Sequence, residues 1–252
     1  MVIDTRLMEN PPDRPRAEPL GGPLAGGAFR SHARKLKDFI TFPLRAMTLF
    51  DGDRWGLTSL RAERFDYVAR KIRGYCLDIG CGRRDLFIQQ FCHGYGRGID
   101  VYRYEGLTDE HIVRDMSRFP FDDASFDSVT FIANLNHVPR RLRDAELAEA
   151  YRCLRPGGNI IVTMGNPVAE LVVHKIIYAH DRLFGTNYDV DTERGMDSEE
   201  DYFVRGAEIR NRLGLAGFVD LSHETFRTQW WLNGLYEGWK RAVERALDWE
   251  RD

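Results

Sequence analysis

The feature that most constrains this chain is a short apolar segment that ends in an acid and two glycines. Residues 75–82 read YCLDIGCG, which predicts a buried strand through Asp78 and then a turn through Gly80 and Gly82. Glycine takes positive φ and lets a ligand approach the backbone closely. A helix predicted over 86–91 follows the turn, and amides at a helix start can hold an anionic group. The pattern therefore predicts a ligand site at the carboxyl end of this strand.

Strands and helices alternate after this point. The apolar runs predict further strands at 98–101, 112–114, 128–132 and 159–164, with a helix over 140–154. Such alternation is typical of a doubly wound, mostly parallel α/β sheet with helices on both faces.

The flanks of this core are predicted to be mainly helical. A helix over 58–73 is expected to begin at Ser59 as its N-cap. After the core, we expect an apolar helix over 167–184, a helix from 199 or 200 to 213, and a strand over 217–223. Residues 225–249 are expected to form a core strand or helix and then an amphipathic helix, with the Trp230–Trp231 pair in the core, the alternative being that the pair lines an apolar acceptor pocket.

These elements divide the 252 residues into four segments around one α/β domain. Residues 1–28, rich in proline and glycine, are predicted to be a disordered tail. Residues 29–73 form an N-terminal helical segment, in which Pro43 breaks the helix. Two interpretations of 29–50 stay open: a lid or membrane-surface segment, or a helix packed on the domain. Residues 74–165 are the core, and 166–252 a substrate cap that also completes the sheet.

Composition excludes several classes of protein. The net charge of -3 argues against broad nucleic-acid binding, which requires a basic face. The four cysteines form no Cys-x-x-Cys pair, so neither a zinc site nor a disulfide framework is expected. No signal-like segment and no apolar run long enough to span a bilayer is found, so we expect a soluble, cytoplasmic protein.

Three acids at predicted strand ends are candidate ligands of a cofactor. Asp78 can accept hydrogen bonds from an ammonium group. Asp100, 22 residues later, suits ribose hydroxyls, the alternative being a helix or turn cap. Asp115 can accept from an adenine amino group while Met116 offers its amide to the ring, the alternative being an Asx turn before Ser117.

The acceptor side of the site is predicted in the loop after the fourth predicted strand. Asn134 and Asn136 are candidate acceptor contacts, and His137 is a candidate base because its ordinary pKa suits proton transfer near neutrality. The alternative is that His137 only shapes the loop. The acidic stretch 189–201 lacks the spacing of a calcium loop and is expected to be a solvated loop, so no metal is predicted.

The motifs together resemble the class I S-adenosylmethionine-dependent methyltransferases, in the type 11 branch that includes quinone-biosynthesis and many small-molecule enzymes. The resemblance covers about 72–165 and rests on DIGCG at 78–82, GID at 98–100, DM, PF and SFD within 115–127, and LRPGG at 154–158. It implies seven strands with a reversed final hairpin and S-adenosylmethionine as the cofactor. The residues that it implies for cofactor binding are Asp78, Gly80, Cys81, Gly82, Asp100, Val101, Asp115, Met116, Ala133 and Asn134.

One departure from the family pattern follows Gly82. The family often continues with a small residue and a glycine, whereas this chain has Arg83, Arg84 and Asp85. We expect the two arginines to be solvated.

The resemblance implies methyl transfer, which we expect to occur at oxygen, to a small-molecule, lipid-linked or glycan-linked acceptor. The main alternative is a non-catalytic regulatory or scaffold protein that binds S-adenosylmethionine. A nicotinamide oxidoreductase is disfavoured by the acid before the turn and by the missing third glycine. An RNA methyltransferase is disfavoured by charge, and the sequence is silent about a protein acceptor.

Overall fold

The protein is built on a six-stranded sheet with the order β2-β1-β3-β4-β6-β5. The computed structural model describes residues 31–48, 53–166, 182–183 and 199–242. The strands are β1 Cys76–Ile79, β2 Gly96–Ile99, β3 Phe126–Ile132, β4 Leu154–Gly165, β5 Val219–Thr225 and β6 Asn233–Trp239. The first four run parallel, and β6 runs antiparallel to both neighbours. The predicted Rossmann-like sheet and its reversed final hairpin are confirmed.

The described residues contain six strands rather than the seven that the resemblance implies. The segment predicted as a strand at 112–114 forms a single parallel bridge, between Asp100 and Ile112. Asp115 then accepts hydrogen bonds from the backbone and side chain of Ser117. This Asx turn ends the extended segment before a second ladder pair can form.

Five α-helices cover the sheet in the described part of the chain: α1 His32–Ile40, α2 Phe42–Thr48, α3 Leu60–Ala69, α4 Arg143–Cys153 and α5 Gly206–Leu215. The Ser59 hydroxyl accepts from the Ala62 amide at 3.0 Å, so the predicted cap of α3 is confirmed. The break expected at Pro43 also occurs, because α1 ends at Ile40 and Pro43 lies in the first turn of α2, where proline is tolerated. None of the described helices combines the length and apolarity needed to cross a bilayer.

The segment predicted as a helix over 86–91 is helical, but as a π-helical turn at Phe87–Phe91, which a 3-10 turn at Arg83–Asp85 precedes. Arg84 and Asp85 have φ of 61° and 46°, a left-handed conformation that a right-handed helix does not contain. The helix predicted from 199 or 200 starts later, at Gly206. The predicted tail 1–28, most of the helix expected over 167–184 and the last residues of the chain lie outside the described residues.

Two apolar clusters fill the two faces of the sheet. The larger packs α4 and α5 against β1, β3 and β4 through side chains that include Leu77, Phe131, Leu147, Ile160 and Leu213. The smaller packs α3 on the other face through Val68, Ile72, Phe87, Ile161 and Phe226. Coverage of both faces is what a parallel sheet of near-continuous apolar strands requires.

A buried arginine holds the N-terminal helices on the domain. Arg45 of α2 donates to Glu63 Oε2 at 2.8 Å and to the carbonyl oxygens of Thr58, Asp38 and Thr228 at 3.0, 2.6 and 3.0 Å. Both side chains of the Arg45–Glu63 ion pair are almost fully buried. Polar contacts therefore connect α1, α2, α3 and the 3-10 turn Arg227–Gln229.

The prediction that the Trp230–Trp231 pair lies in the core is wrong. The two residues are 42% and 54% exposed, and both have left-handed backbone, with φ of 52° and 59°. This backbone forms the tight turn between β5 and β6 and directs both indoles outward.

Candidate cofactor and acceptor site

The glycine turn after β1 is in contact with the loop after β3. Gly80 has a φ of +74°, and a Cβ placed there would overlap the side chain of Asn134. Gly82 also has positive φ, +64°, but a Cβ there would meet open space. The sheet therefore brings Asn134, predicted to bind cofactor and acceptor, against the turn predicted to hold the cofactor. Ala133, the first residue after β3, donates its amide to Thr163 Oγ1 at 2.9 Å.

Asp100 braces this turn from the end of β2. Its Oδ2 accepts the Gly82 amide at 3.0 Å and its Oδ1 accepts the Tyr102 amide at 3.0 Å. The alternative of a turn cap therefore describes part of its role. Each carboxylate oxygen has two lone pairs, so capping is compatible with ribose binding, which stays a prediction.

Asp78 lies buried at the end of β1, where Thr130 Oγ1 donates to its Oδ1 at 2.6 Å. Burial raises the pKa of Asp78 well above its usual value, and the neighbouring carboxylates of Asp85 and Asp100 act in the same direction. A cation placed beside such a group restores its ionised form. The position suits a positively charged ligand.

Two further buried acids that the sequence analysis missed lie near this edge. Burial raises the pKa of Asp85 to about 7, and the Oδ1 atom of Asp85 has no hydrogen-bond partner among the described residues. Burial and the charge of Asp100 raise the pKa of Glu146, in α4, to about 8. The Oε2 atom of Glu146 likewise has no hydrogen-bond partner among the described residues. Glu146 falls within the buried stripe of α4 with Arg143, Leu147 and Ala150. An acid inside an apolar helical stripe is the signal that could have found it.

The residues after Gly82, where the sequence departs from the family pattern, lie in two different environments. Arg84 is exposed and pairs with Glu105, as expected of a solvated side chain. Asp85 is buried instead, and its carboxyl packs so closely on β2 that a Cβ at Gly98 would overlap it. Glycine at 98 is therefore required by Asp85.

The three predicted acceptor residues lie together after β3, with His137 beside a buried acid. The Asn136 amide nitrogen lies 3.1 Å from His137 Nε2, and Glu200 Oε2 lies 3.6 Å from His137 Nδ1. The Glu200 side chain is 2% exposed.

The prediction of a solvated acidic loop is wrong at its described end, residues 199–201. Arg143, itself buried, donates to Asp201 at 2.8 Å, and Arg140 pairs with the same carboxylate. Hydrogen bonds from Arg140 and then Arg143 lower the pKa of Asp201 to about 2. The Asp201 amide also donates to the Asn136 carbonyl at 3.0 Å. These contacts fasten Glu200 beside His137, a pairing 63 positions apart in the sequence.

The residues predicted around the adenine and ribose are placed less uniformly. Asp115 is exposed in its Asx turn, and hydrogen bonds from Ser117 lower its pKa. Met116 and Cys81 are buried, whereas Val101 is half exposed. The alternative of an Asx turn therefore describes Asp115 in this structure, and its contact with adenine stays a prediction.

The fold and the site define an α/β domain with a candidate ligand site at the carboxyl edge of a doubly wound sheet. S-adenosylmethionine carries a sulfonium and an ammonium group, so buried acids beside the glycine turn favour it. The pyrophosphate of a dinucleotide would lie against the same acids at an electrostatic cost. The residues present therefore fit S-adenosylmethionine.

Comparison with known proteins agrees with this fit. Residues 77–162 match the model of a family described as "Methyltransferase domain". The chain is 28% identical over 144 residues to the ubiquinone/menaquinone biosynthesis C-methyltransferase UbiE of Brucella anthropi, covering 54% of this chain and 53% of that one. It is 32% identical over 134 residues to the protein of the same name from Rhizobium etli, covering 48% of each. The chain thus spans about half the length of the curated relatives it matches.

A solved structure shows the same fold at lower identity. A methyltransferase of Thermotoga maritima, described as a possible histamine N-methyltransferase, superposes with a TM-score of 0.52 at 14% identity, covering 82% of this chain and 99% of that one. The methyltransferase-domain match over residues 77–162 and the UbiE relatives support a class I S-adenosylmethionine-dependent methyltransferase domain in this part of the chain, and S-adenosylmethionine is the cofactor of that class.

Proposed function

We propose that this protein transfers a methyl group from S-adenosylmethionine to an oxygen of a small hydroxylated acceptor, free or lipid-linked. The observation that carries the proposal is the placement of His137, Asn136 and Glu200 beside the loop whose Asn134 contacts Gly80. A candidate proton acceptor thus lies at the same sheet edge as the candidate cofactor residues. This is the edge at which open α/β sheets bind ligands.

One set of residues binds the cofactor and another transfers the proton of the acceptor. Asp78 and the glycine turn hold the methionine end, Asp100 the ribose, and Asp115 with Met116 the adenine. The bound cofactor supplies a methyl group that its sulfonium already activates. His137 Nε2 takes the proton of the acceptor hydroxyl in place of its contact with Asn136, and Glu200 stabilises the imidazolium through Nδ1. Alignment of acceptor and methyl supplies most of the remaining barrier reduction.

Methylation at carbon is the second candidate, favoured by the relatives named C-methyltransferases of quinone biosynthesis. Removal of a phenolic proton makes the neighbouring ring carbon nucleophilic, so the same base serves both reactions. Oxygen and carbon products then differ in which atom of the deprotonated acceptor faces the methyl group.

The experiment supplies methyl-deuterated S-adenosylmethionine with free and prenylated phenols and quinols, and identifies products by mass spectrometry and NMR. We expect His137→Gln to lower kcat about 100-fold or more while cofactor affinity is kept. His223→Gln is the matched control, because His223 stacks on Tyr236 at the other end of the sheet order and should keep activity. Binding of the cofactor with no acceptor methylated would favour the non-catalytic alternative. Full activity of the His137→Gln variant would show that His137 is not the base.

A further inference from the structure

Helix α1 is placed with its apolar side facing outward. The one buried residue of α1 is Asp38, whereas Leu36 and Ile40 are 61% and 65% exposed. Leu44 of α2 continues the exposed stripe at 53%, while Arg45 on the inner side is buried. A surface helix of a globular domain normally buries its apolar stripe. Polar contacts hold the Asp38 side of α1 on the domain, because Arg45 donates to the Asp38 carbonyl and Thr58 Oγ1 donates to Asp38 Oδ2 at 3.4 Å.

The exposed stripe is extended by the turn between β5 and β6. The Phe39 ring lies 6.2 Å from the Trp230 ring and 6.1 Å from the Trp231 ring. Trp230 Nε1 donates to the Phe39 carbonyl at 2.9 Å, so this indole is fixed on α1. We call Leu36, Phe39, Ile40, Leu44 and the two tryptophans the apolar ledge. Paired tryptophans beside aliphatic side chains are typical of surfaces at a membrane–water interface.

The charge around the apolar ledge is positive in a chain whose net charge is -3. Helix α1 contributes Arg34, Lys35 and Lys37; Arg34 pairs with Asp53, and the one acid of the helix, Asp38, is buried. The lining of a cavity of about 830 Å³ beside the ledge includes three cations, one acid and apolar side chains: Lys35, Arg70, Arg227, Glu224, Leu36, Phe39 and Tyr67. Cations above an apolar floor are complementary to an anionic lipid headgroup and the start of its acyl chain.

The apolar ledge lies toward the edge of the sheet that holds the candidate site. β5 runs antiparallel to β6, and β6 antiparallel to β4, so β5 ends at the same edge as β1 to β4. The turn with Trp230 and Trp231 follows that end directly. From the inverted helix, the paired indoles and the cationic cavity, we propose that the apolar ledge docks the protein on a bilayer containing anionic phospholipid. The proposal does not depend on which acceptor is methylated.

The test is co-sedimentation of the full-length protein with vesicles of phosphatidylcholine alone and of phosphatidylcholine with phosphatidylglycerol. Wild type should bind the anionic vesicles more tightly, and added salt should weaken this binding. Leu36→Ser with Ile40→Ser should lower the partition coefficient about tenfold or more, since each side chain otherwise enters the interface. Lys35→Glu should lower binding to the anionic vesicles and leave binding to the neutral ones nearly unchanged.

Leu215→Ser is the matched control, because Leu215 ends α5 on the opposite face of the sheet and is 75% exposed. It should bind vesicles as wild type does. Thermal stabilisation by S-adenosylhomocysteine checks that each variant is folded, and this separates loss of docking from failure of the proposed activity. Equal binding by the ledge and control variants would overturn the proposal. The proposal would also be overturned if wild type bound neither kind of vesicle and sedimentation velocity showed a dimer that the ledge variants no longer form.

Discussion

The cofactor edge and the N-terminal layer, formed by α1, α2 and the turn Arg227–Gln229, use buried polar groups in opposite ways. At the cofactor edge, Asp85 and Glu146 each leave an oxygen without a described hydrogen-bond partner, and burial raises their pKa. In the N-terminal layer, buried Arg45 reaches four acceptors on three other segments. The comparison teaches that the acids at the first site keep oxygens that a bound ligand would satisfy, whereas the buried ion pair at the second attaches a surface layer to the domain.

The largest effect is expected where the N-terminal layer loses its arginine. Arg45→Met should destabilise the protein by about 3–5 kcal/mol, because Glu63 is left as an uncompensated buried charge. Adding Glu63→Leu should recover a large part of that loss, since the apolar pair leaves no charge behind. Urea unfolding followed by circular dichroism measures both variants. A double variant no more stable than Arg45→Met would mean that Arg45 acts through its carbonyl contacts.

A pH-dependent effect of the opposite kind is expected at the cofactor edge. The folded pKa of Glu146, about 8, exceeds the ordinary value of 4.5, so the folded state keeps a proton that the unfolded state loses. Wild-type stability relative to Glu146→Gln should therefore fall as pH rises from about 4.5 to 8. Above pH 8 the glutamine variant should be the more stable of the two proteins. Unfolding curves across this range measure the gap.

Glu149 on the same helix provides a control of opposite sign. Arg152 and the Phe119 amide bond to its carboxylate and lower its pKa. The stabilisation by the ionised Glu149 carboxylate is present above the pKa that this group has in the unfolded chain. It is lost as pH falls through the lower pKa of the group in the folded protein. Glu149→Gln should thus be less stable than wild type at pH 7, by a margin that shrinks in acid. If both glutamine variants were more stable than wild type at pH 7, or both less stable, the assignment of opposite environments to Glu146 and Glu149 would be contradicted.

A smaller effect should separate two glycines in the cofactor turn. Alanine at Gly82, where φ is 64° and ψ is -162°, adds only the strain of a backbone region essentially restricted to glycine, about 1–3 kcal/mol of folding free energy. Alanine at Gly80 adds similar strain and also displaces Asn134. We expect Gly80→Ala to weaken S-adenosylmethionine binding about tenfold more than Gly82→Ala does, in isothermal titration. Equal affinities would mean that Asn134 does not shape the bound site.

The same contrast explains what could be predicted from sequence. The glycine turn and the Ser59 cap depend on local residue types and could be predicted from them, whereas the reversed hairpin was implied only by the family resemblance. The strand expected at 112–114 was wrong because one Asx turn ends it. Glu200 was assigned to a solvated loop because its partner, His137, is distant in sequence, and the pairing depends on Asp201 meeting Arg140 and Arg143.

The tryptophans show the other limit of sequence patterns. A Trp–Trp pair is apolar, and composition alone favours the core. Its exposure follows from two left-handed residues in the turn and from the orientation of α1, whose Asp38 carbonyl accepts from Arg45. Long-range polar contacts of this kind leave no periodic pattern in the sequence.

The central claim, that buried acids at the sheet edge hold S-adenosylmethionine, is tested most directly by isothermal titration of wild type and Asp100→Ala. The account predicts that wild type binds S-adenosylmethionine and S-adenosylhomocysteine but not NADH. Asp100→Ala should bind the adenosyl ligands about tenfold or more weakly, the loss of one or two charge-assisted hydrogen bonds. Wild-type affinity in a folded Asp100→Ala protein, or tighter binding of NADH, would contradict it.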